Sequence, residues 1–444
     1  MEPDFYDIRI IERQASSIVL DNDEIKETSH SFIRGASVRA LVGGAWGLVT
    51  TENPDELREA LKEAVRLAKA AGVRENNKGR IELAPIKKPL VKDLPTIRKN
   101  PEDVDIEEKM ELVREISGSA QKPGVSSVRT VYSESEVSVE YRNSDGVRGC
   151  YTLPRIGFSI TAVAHENGDY QAARESRFAV SGFELFDRED PLVIASETAD
   201  IAKSLLGARS ARGGLMPVIL DPELAGVFIH EAVGHAAEAD HVLEGYSVFE
   251  GRLNTMVGSP LITVCDDPTI HEYGYYPFDD EGAEPRKTVV IENGLLRRYL
   301  HNRETAGRLG GVSCNARADG SSRPIVRMSN TYIDKGESTF EEMLEEIECG
   351  VYLIGSRGGQ VDPGDGIFQF NAERGYLIED HELKTLLKDV SLSGNILEML
   401  NEVVAVGSDL KMHSGQCGKA GQVVPVSDGA PHVLVKRAIV GGSG

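Results

Sequence analysis

His230-Glu231-Ala232-Val233-Gly234-His235 places a carboxylate beside the first of two imidazoles, in a stretch that reads as helix. Asp221-Pro222-Glu223 opens that helix with a capping side chain, a proline in the first turn and an acid at the positive end. The apolar run from Leu224 to Ile229 anchors it, so the polar groups that follow sit where burial is costly without a purpose. In the H-E-x-x-H arrangement of zinc hydrolases the two His are four apart, about 40° around an ideal helix, and both rings reach one ion. Here one residue is added, which sets the rings about 140° apart on an undistorted helix. A shared ion therefore requires a π-bulge, or a break that Gly234 would permit. The helix should be distorted, or should end, near Gly234.

A catalytic zinc takes three protein ligands from His, Cys and Asp or Glu and leaves one position for water. His230 and His235 supply two. Glu231, next to the first, is better placed as the general base that takes a proton from that water and returns it to the leaving amine. Two residues compete for the third place. Glu238 follows His235 by three and shares its part of the helix surface. Cys417 lies in Ser414-Gly415-Gln416-Cys417-Gly418-Lys419-Ala420-Gly421-Gln422, where glycines allow close backbone approach and Lys419 would favour the thiolate.

Outward from the motif, Met216 to Leu220 is an apolar strand. Beyond Gly251 the chain reads as mostly β, with strands at Leu261 to Val264, Thr288 to Glu292, Arg297 to Leu300, Val326 to Tyr332, Gly350 to Ile354 and Gly375 to Glu379. One helix, Thr339 to Ile347, interrupts them. Towards the amino terminus, short β-rich runs at Asp7 to Ile11, Ser17 to Leu20, Ser37 to Leu41 and Trp46 to Thr50 read as hairpins. A helix follows from Asn53-Pro54 to near Gly72. Arg74 to Asp105, rich in Lys and Pro, reads as a linker or extended crossover, and a helix covers Ile106 to Ser117. The pattern then recurs: strands at Ser126 to Tyr132, Glu136 to Tyr141, Val147 to Leu153 and Gly157 to Ala164, then a helix at Leu192 to Leu206. A weak repeat of β-meander plus helix is the expectation. The 444 residues are about three domains' worth of chain, and one or two large domains also fit. The reading here is an α+β fold. An amino-terminal α/β half of meanders and helices (1–210) precedes a β-rich half (211–444) that carries the motif on a central helix.

Against 71 acidic residues stand 49 basic ones, and the net charge of −22 opposes binding to nucleic acid or an anionic membrane. No basic segment with a long apolar run opens the chain, and no apolar stretch approaches the ~20 residues that span a bilayer. The expected location is cytoplasmic. The five cysteines, Cys150, Cys265, Cys314, Cys349 and Cys417, are scattered and odd in number, so reduced thiols are expected. Four lie in apolar or strand-like surroundings and Cys417 does not.

The segment from Phe228 to Asp240, with its two His, Glu231 and Glu238, resembles the signature of the TldD/PmbA metalloprotease family, and of its TldD branch in particular. Ordered blocks elsewhere resemble it too: Phe278-Asp279-Asp280-Glu281-Gly282, Ile291-Glu292-Asn293-Gly294, Arg327-Met328-Ser329-Asn330-Thr331-Tyr332, Gly358-Gly359-Gln360-Val361-Asp362 and Cys417-Gly418-Lys419 through Pro425-Val426. The likeness is strong from about residue 210 onward and looser before it. It implies zinc held by His230, His235 and Cys417, with Glu231 as catalytic acid/base. It also implies activity on unfolded peptides or peptide precursors, and a homodimer or a heterodimer with a paralogue that lacks H-E-x-x-x-H. Peptide would lie along a strand edge, at Arg327 to Tyr332 or Gly358 to Asp362. Two rival readings are a hydrolase with Cys417 as nucleophile and a His as base, and a non-catalytic subunit that binds peptides or assembles with others.

Overall fold

The structure is a computed structural model, and it describes residues 2–74, 81–87, 91 and 94–442. The first half is one antiparallel sheet built from two meanders. The strands are β1 (Phe5–Asp21), β2 (Glu24–Val42) and β3 (Ala45–Thr51), then β4 (Val125–Asn143), β5 (Arg148–Glu166) and β6 (Asp169–Ala179). They run in the order β3-β2-β1-β4-β5-β6, so the meanders meet back to back through β1 and β4. The recurrence in the sequence thus corresponds to the two halves of one sheet.

Helices α1 (Leu57–Arg74), α2 (Ile106–Ala120) and α3 (Pro191–Leu206) cover it. Ala60 and Ala64 of α1 pack on Ile8, Val38 and Ala40, while Ile116, Ala195, Ala199 and Ala202 pack on Phe158, Ile160 and Ala162. Small residues let α1 approach closely: a Cβ on Gly47 of β3 would lie 2.0 Å from the Ala64 carbonyl oxygen. Side chains alternate across a strand. Ile11, Val139 and Tyr141 therefore leave the opposite face and pack against Phe278 of the second half.

Several strands expected as separate pieces are continuous. Asp7 to Ile11 and Ser17 to Leu20 belong to β1, Ser126 to Tyr132 and Glu136 to Tyr141 to β4, and Val147 to Leu153, from Arg148 on, and Gly157 to Ala164 to β5. The polar middle of β1 carries no turn residue, and ladders to β2 on one side and β4 on the other hold it extended. Strand β6 lies outside the expected elements. Part of Arg74 to Asp105 lies outside the described residues. Within it, Ala84 exchanges hydrogen bonds with Arg303: its N–H donates to the Arg303 carbonyl at 3.0 Å and its carbonyl accepts from Arg303 Nε at 2.9 Å.

In the second half, β7 (Gly214–Leu220) leads into α4 (Pro222–Ile229), where Asp221 accepts the Leu224 N–H at 2.8 Å as the expected cap. Strands β8 (Val264–Asp266), β9 (Thr288–Glu292) and β10 (Asn330–Ile333) are followed by β11 (Cys349–Asp362), β12 (Ile367–Glu379), β13 (Val390–Asn395), β14 (Lys411–Lys419), β15 (Gln422–Ala430) and β16 (Val433–Gly442). Pairings run β11-β7-β16-β13-β12 and return to β11, which closes a ring and protects its strand edges. A second sheet runs from Leu295–Leu296 through β9, β8, β10 and β15 to β14 at its edge. Helix α4 is wedged between the two. Phe228 meets the Phe368 and Phe370 rings of β12 at 5.2 and 6.3 Å, and on the other side a Cβ on Gly226 would lie 3.0 Å from the Gly429 nitrogen of β15.

The expected strands at Leu261 to Val264 and Val326 to Tyr332 shrink to β8, to β10 and to a two-residue strand at Ile325–Val326, and Arg297 to Leu300 is not a strand. The hairpin of β14 and β15, whose glycines interrupt the alternation, and strand β16 lie outside the expected elements. The helix expected at Thr339 to Ile347 spans Phe340–Glu345, with Thr339 as its cap.

A buried charge cluster joins the halves. Arg39 of β2 donates to Asp7 at 2.9 Å and to Glu281 at 3.0 Å, all three side chains being nearly inaccessible. Breaking such a cluster leaves a charge buried without a partner. Arg39→Met should therefore lower stability by about 3–5 kcal/mol in denaturant unfolding, and an unchanged midpoint would refute the bridging role.

Candidate metal centre

Helix α4 does not continue as an α-helix into the motif. His230–Gly234 is a π-helical turn in which the His235 N–H donates to the His230 carbonyl five residues back, and His235–Ala237 is a short 3₁₀ turn. A turn closed by an i→i+5 bond brings residues five apart onto nearly one face. The rings consequently meet, with centroids 5.4 Å apart and planes at 89°. The distortion expected near Gly234 is present, but for another reason than backbone freedom. Gly234 has φ −57°, open to any residue. What requires glycine is Met328, whose Sδ would lie 1.8 Å from an added Cβ.

Across from the turn, Cys417 of β14 faces both rings. One donor atom from each of His230, His235 and Cys417 lies within 4.8 Å of the others, and all three residues are buried. Cys417 Sγ is 3.5 Å from His235 Nε2. Burial alone would push the Cys417 thiol up, but the two imidazoles beside it hold it well below the usual thiol range. Burial likewise would lower the His230 ring, yet Cys417 and Glu231 raise it. Two imidazoles and a thiolate form a donor set that suits a borderline-soft metal ion. His230 Nδ1 is moreover buried without a hydrogen-bond partner. The residues present fit a metal.

Glu238 is not positioned as a third donor to that set. It is fully buried, and its Oε2 lies 2.9 Å from His235 Nδ1 and 3.1 Å from Lys419 Nζ. Burial would raise this carboxyl, but His235 and Lys419 bring it down to about 2. A carboxylate on Nδ1 orients the ring and leaves Nε2 to face Cys417. Lys419 does not assist the thiolate as expected. It donates to both Asp240 oxygens at 2.8 Å, so one ammonium is shared by the Glu238 and Asp240 carboxylates behind His235.

Two residues that the sequence reading left without individual roles shape the centre. Arg327, wholly buried, donates to the Cys417 carbonyl and, at 3.3 Å, to that of Gln422, clamping the turn of the β14–β15 hairpin. Met328 fills the groove over Gly234. Both lie in the quoted block at Arg327, but nothing local to that block indicates what they touch.

Glu231 Oε2 is 3.8 Å from His235 Nε2, and its side chain keeps 29% of its exposure. It opens, with His230, into a cleft of about 230 Å³ lined by Glu223, Asp428, Ser356, Gly358 and residues 413–416 of β14. Burial, then neighbouring carboxylates, push Glu223 up to about 8, and burial raises Asp428 to about 6. Of the two strands expected to flank substrate, Arg327 to Tyr332 is buried inside its sheet, whereas Gly358 borders the cleft. Among the cysteines, none is in a disulfide. Cys150 and Cys349 are exposed and Cys417 is buried, contrary to the contrast expected from their surroundings.

Gly234→Ala should strain the π turn against Met328, lowering both thermal stability and metal content. Met328→Ala in the same chain should restore them in part, and no rescue would sever the link. In chelator-treated protein at about pH 6, below the ordinary thiol range near 8.5, thiolate ultraviolet absorbance should persist and vanish in Cys417→Ser. Equal spectra would overturn the charge state assigned to Cys417.

Models of the PmbA/TldA metallopeptidase family match residues 6–71 with domain 1, 99–206 with the central domain and 213–442 with the C-terminal domain. The chain is 42% identical over 441 residues to a metalloprotease of Archaeoglobus fulgidus, covering 99% of this chain and 100% of that one. It is 31% identical over 448 residues to a zinc metalloprotease TldD homolog of Saccharolobus solfataricus, covering 99% and 96%. Among solved structures, a Thermotoga maritima protein named as a candidate modulator of a DNA gyrase superposes with a TM-score of 0.82 at 24% identity, covering 98% and 96%. TldE from Thermococcus kodakarensis superposes at 0.77 and 19%, covering 99% and 97%. These two likenesses concern the fold. No helix among the described residues is long and apolar enough to cross a membrane. With matching models along most of its length and close relatives over nearly all of it, this chain belongs to the PmbA/TldD family of metallopeptidases.

Proposed function

We propose that the chain is a zinc-dependent peptidase acting on unfolded or extended peptides, with His230, His235 and Cys417 holding the ion and Glu231 as general acid and base. The observation that carries this reading is one buried N,N,S donor set within 4.8 Å, with the partly exposed Glu231 carboxylate beside it. Bound zinc would polarise the scissile carbonyl and acidify a water molecule. Glu231 accepts the proton of the attacking water on a carboxylate oxygen and delivers it to the departing amide nitrogen. Glu238 keeps the His235 ring turned towards the centre, and Arg327 keeps the Cys417 backbone in place.

An extended substrate suits a strand edge, where main-chain groups pair without regard to sequence. Strand β14 ends its sheet, and residues 413–416 line the Glu231 cleft opposite Gly358. The edge at Gly358 to Asp362 is the second support for the strand. The fold shared with TldE supports a paralogue lacking H-E-x-x-x-H, or a second copy, as the proposed partner, and the cytoplasm is the proposed location. A division of the chain into domains 1–210 and 211–444 belongs to the same proposal.

A second reading rests on the 3.5 Å contact of Cys417 Sγ with His235 Nε2, which is also how a thiolate nucleophile meets its base. Activity that survives chelation but is blocked by a thiol alkylator would favour it, and chelator inhibition reversed by zinc would exclude it. Glu231→Ala should keep its zinc and lose cleavage by about 10²- to 10⁴-fold, whereas Cys417→Ser should lose the zinc itself. Undiminished cleavage in the first variant would remove Glu231 from the mechanism.

A further inference from the structure

Gln416 forms part of the wall of two cavities. One is the Glu231 cleft, and the other is larger, about 400 Å³, between the sheet of the first half and the second half. A volume of this size takes a whole amino-acid residue or more. Part of its lining is apolar, including Ile11, Val139, Tyr151 and Phe278. Into the same space come Arg13, Arg155 and Arg317.

None of the three arginines forms an ion pair with a described residue. Arg155 donates to the Tyr273 and Tyr275 carbonyls at 3.3 and 3.0 Å, and Arg317 to the Met328 carbonyl at 2.8 Å. Arg317 also lies over the Tyr276 ring at 5.2 Å, and is 5% exposed. The carboxylates bordering the cavity are already engaged. Asp279 accepts the N–H groups of Glu281, Ala283 and Ala316. Asp280 holds Arg9 at 2.6 Å and accepts from Ala318, and Asp319 accepts from Val423. Burial, then Arg317, depress the Arg155 guanidinium to about 10. In a chain of net charge −22, three guanidinium groups in one cavity without a direct ion-pair partner among the described residues are conspicuous. Like charges in a part-apolar cavity repel, and an anion entering it relieves that repulsion.

We infer that this cavity is a subsite for a carboxylate of the peptide substrate, with Arg155 and Arg317 as specificity-determining residues and Arg13 at its exposed side. The inference rests on the peptidase reading and adds a substrate class to it. A guanidinium fork matches a carboxylate in shape and charge, and the apolar wall accommodates the carbon body that carries it. Acidic side chains and free carboxyl termini share this chemistry. Peptide on the β14 edge at the Glu231 cleft reaches the cavity past Gln416.

The test uses the full-length zinc-loaded protein and one peptide in three forms: with Glu and an amidated end, with Gln and an amidated end, and with Gln and a free end. One or both acid-bearing forms should be favoured over the neutral one by about 10- to 100-fold, in KM rather than kcat. The form that gains identifies the source as side chain or terminus. In Arg155→Gln the ratio should fall towards one, and in Arg317→Gln likewise. Arg13→Gln, at an exposed position, carries the test if the buried variant does not fold. The three forms are also titrated against Glu231→Gln protein, so binding is read without turnover. Cleavage of all three forms alike, or a preference undisturbed in both Arg155→Gln and Arg13→Gln, would overturn the subsite and leave the peptidase reading standing. No cleavage by wild type, with an acid preference in binding that Arg155→Gln abolishes, would do the reverse.

Discussion

One backbone hydrogen bond, from the His235 N–H to the His230 carbonyl, determines the geometry of everything at the centre. An α-helix would aim the two rings about 140° apart. The π turn puts them on one face, towards Cys417. That turn has to be held, and the residues that hold it are not its own. Met328 packs where a side chain on Gly234 would stand, and its neighbour Arg327 ties the β14–β15 hairpin by the Cys417 carbonyl. One short segment thus sets the position of both sides of the donor set, which explains why these two residues share a block with no chemistry of its own.

The surroundings of the centre are strongly polarised. Behind His235, Glu238 and Asp240 share the Lys419 ammonium, so the buried carboxylate that orients the ring is itself paired. In front, the Glu231 cleft is acidic, with Glu223 and Asp428 beside the catalytic candidate. Past Gln416 come the guanidinium groups of Arg155 and Arg317. A substrate on the proposed path would meet carboxyl groups at the Glu231 cleft and guanidinium groups beyond Gln416.

The two halves serve this arrangement differently. In the second half the closed ring and the β14 sheet grip α4 from both sides, fixing the motif rigidly. The first half contributes a broad sheet whose face, through Ile11, Val139 and Tyr141, rests on Phe278, with the Arg39, Asp7 and Glu281 cluster locking the contact. The cavity that holds the arginines exists because the two halves are held together, and its walls come from both.

Much of this was legible in the residues. The cap at Asp221, the α+β class, the recurrence of meander and helix and the need for a distorted turn follow from propensity, periodicity and the angle per residue, which are local. Strand continuity was not legible, because ladders on both sides, as in β1, override the polar interruptions that a single strand shows. Nor could spacing decide between Glu238 and Cys417, since helix geometry favours a neighbour and knows nothing of a hairpin about 180 residues away. The sequence by itself determined which groups were available to meet a metal and that the helix bearing two of them had to deform. Tertiary structure decided which third group met them, why position 234 has room only for glycine and where unpaired charge collects, because each depends on contacts between segments that are distant along the chain.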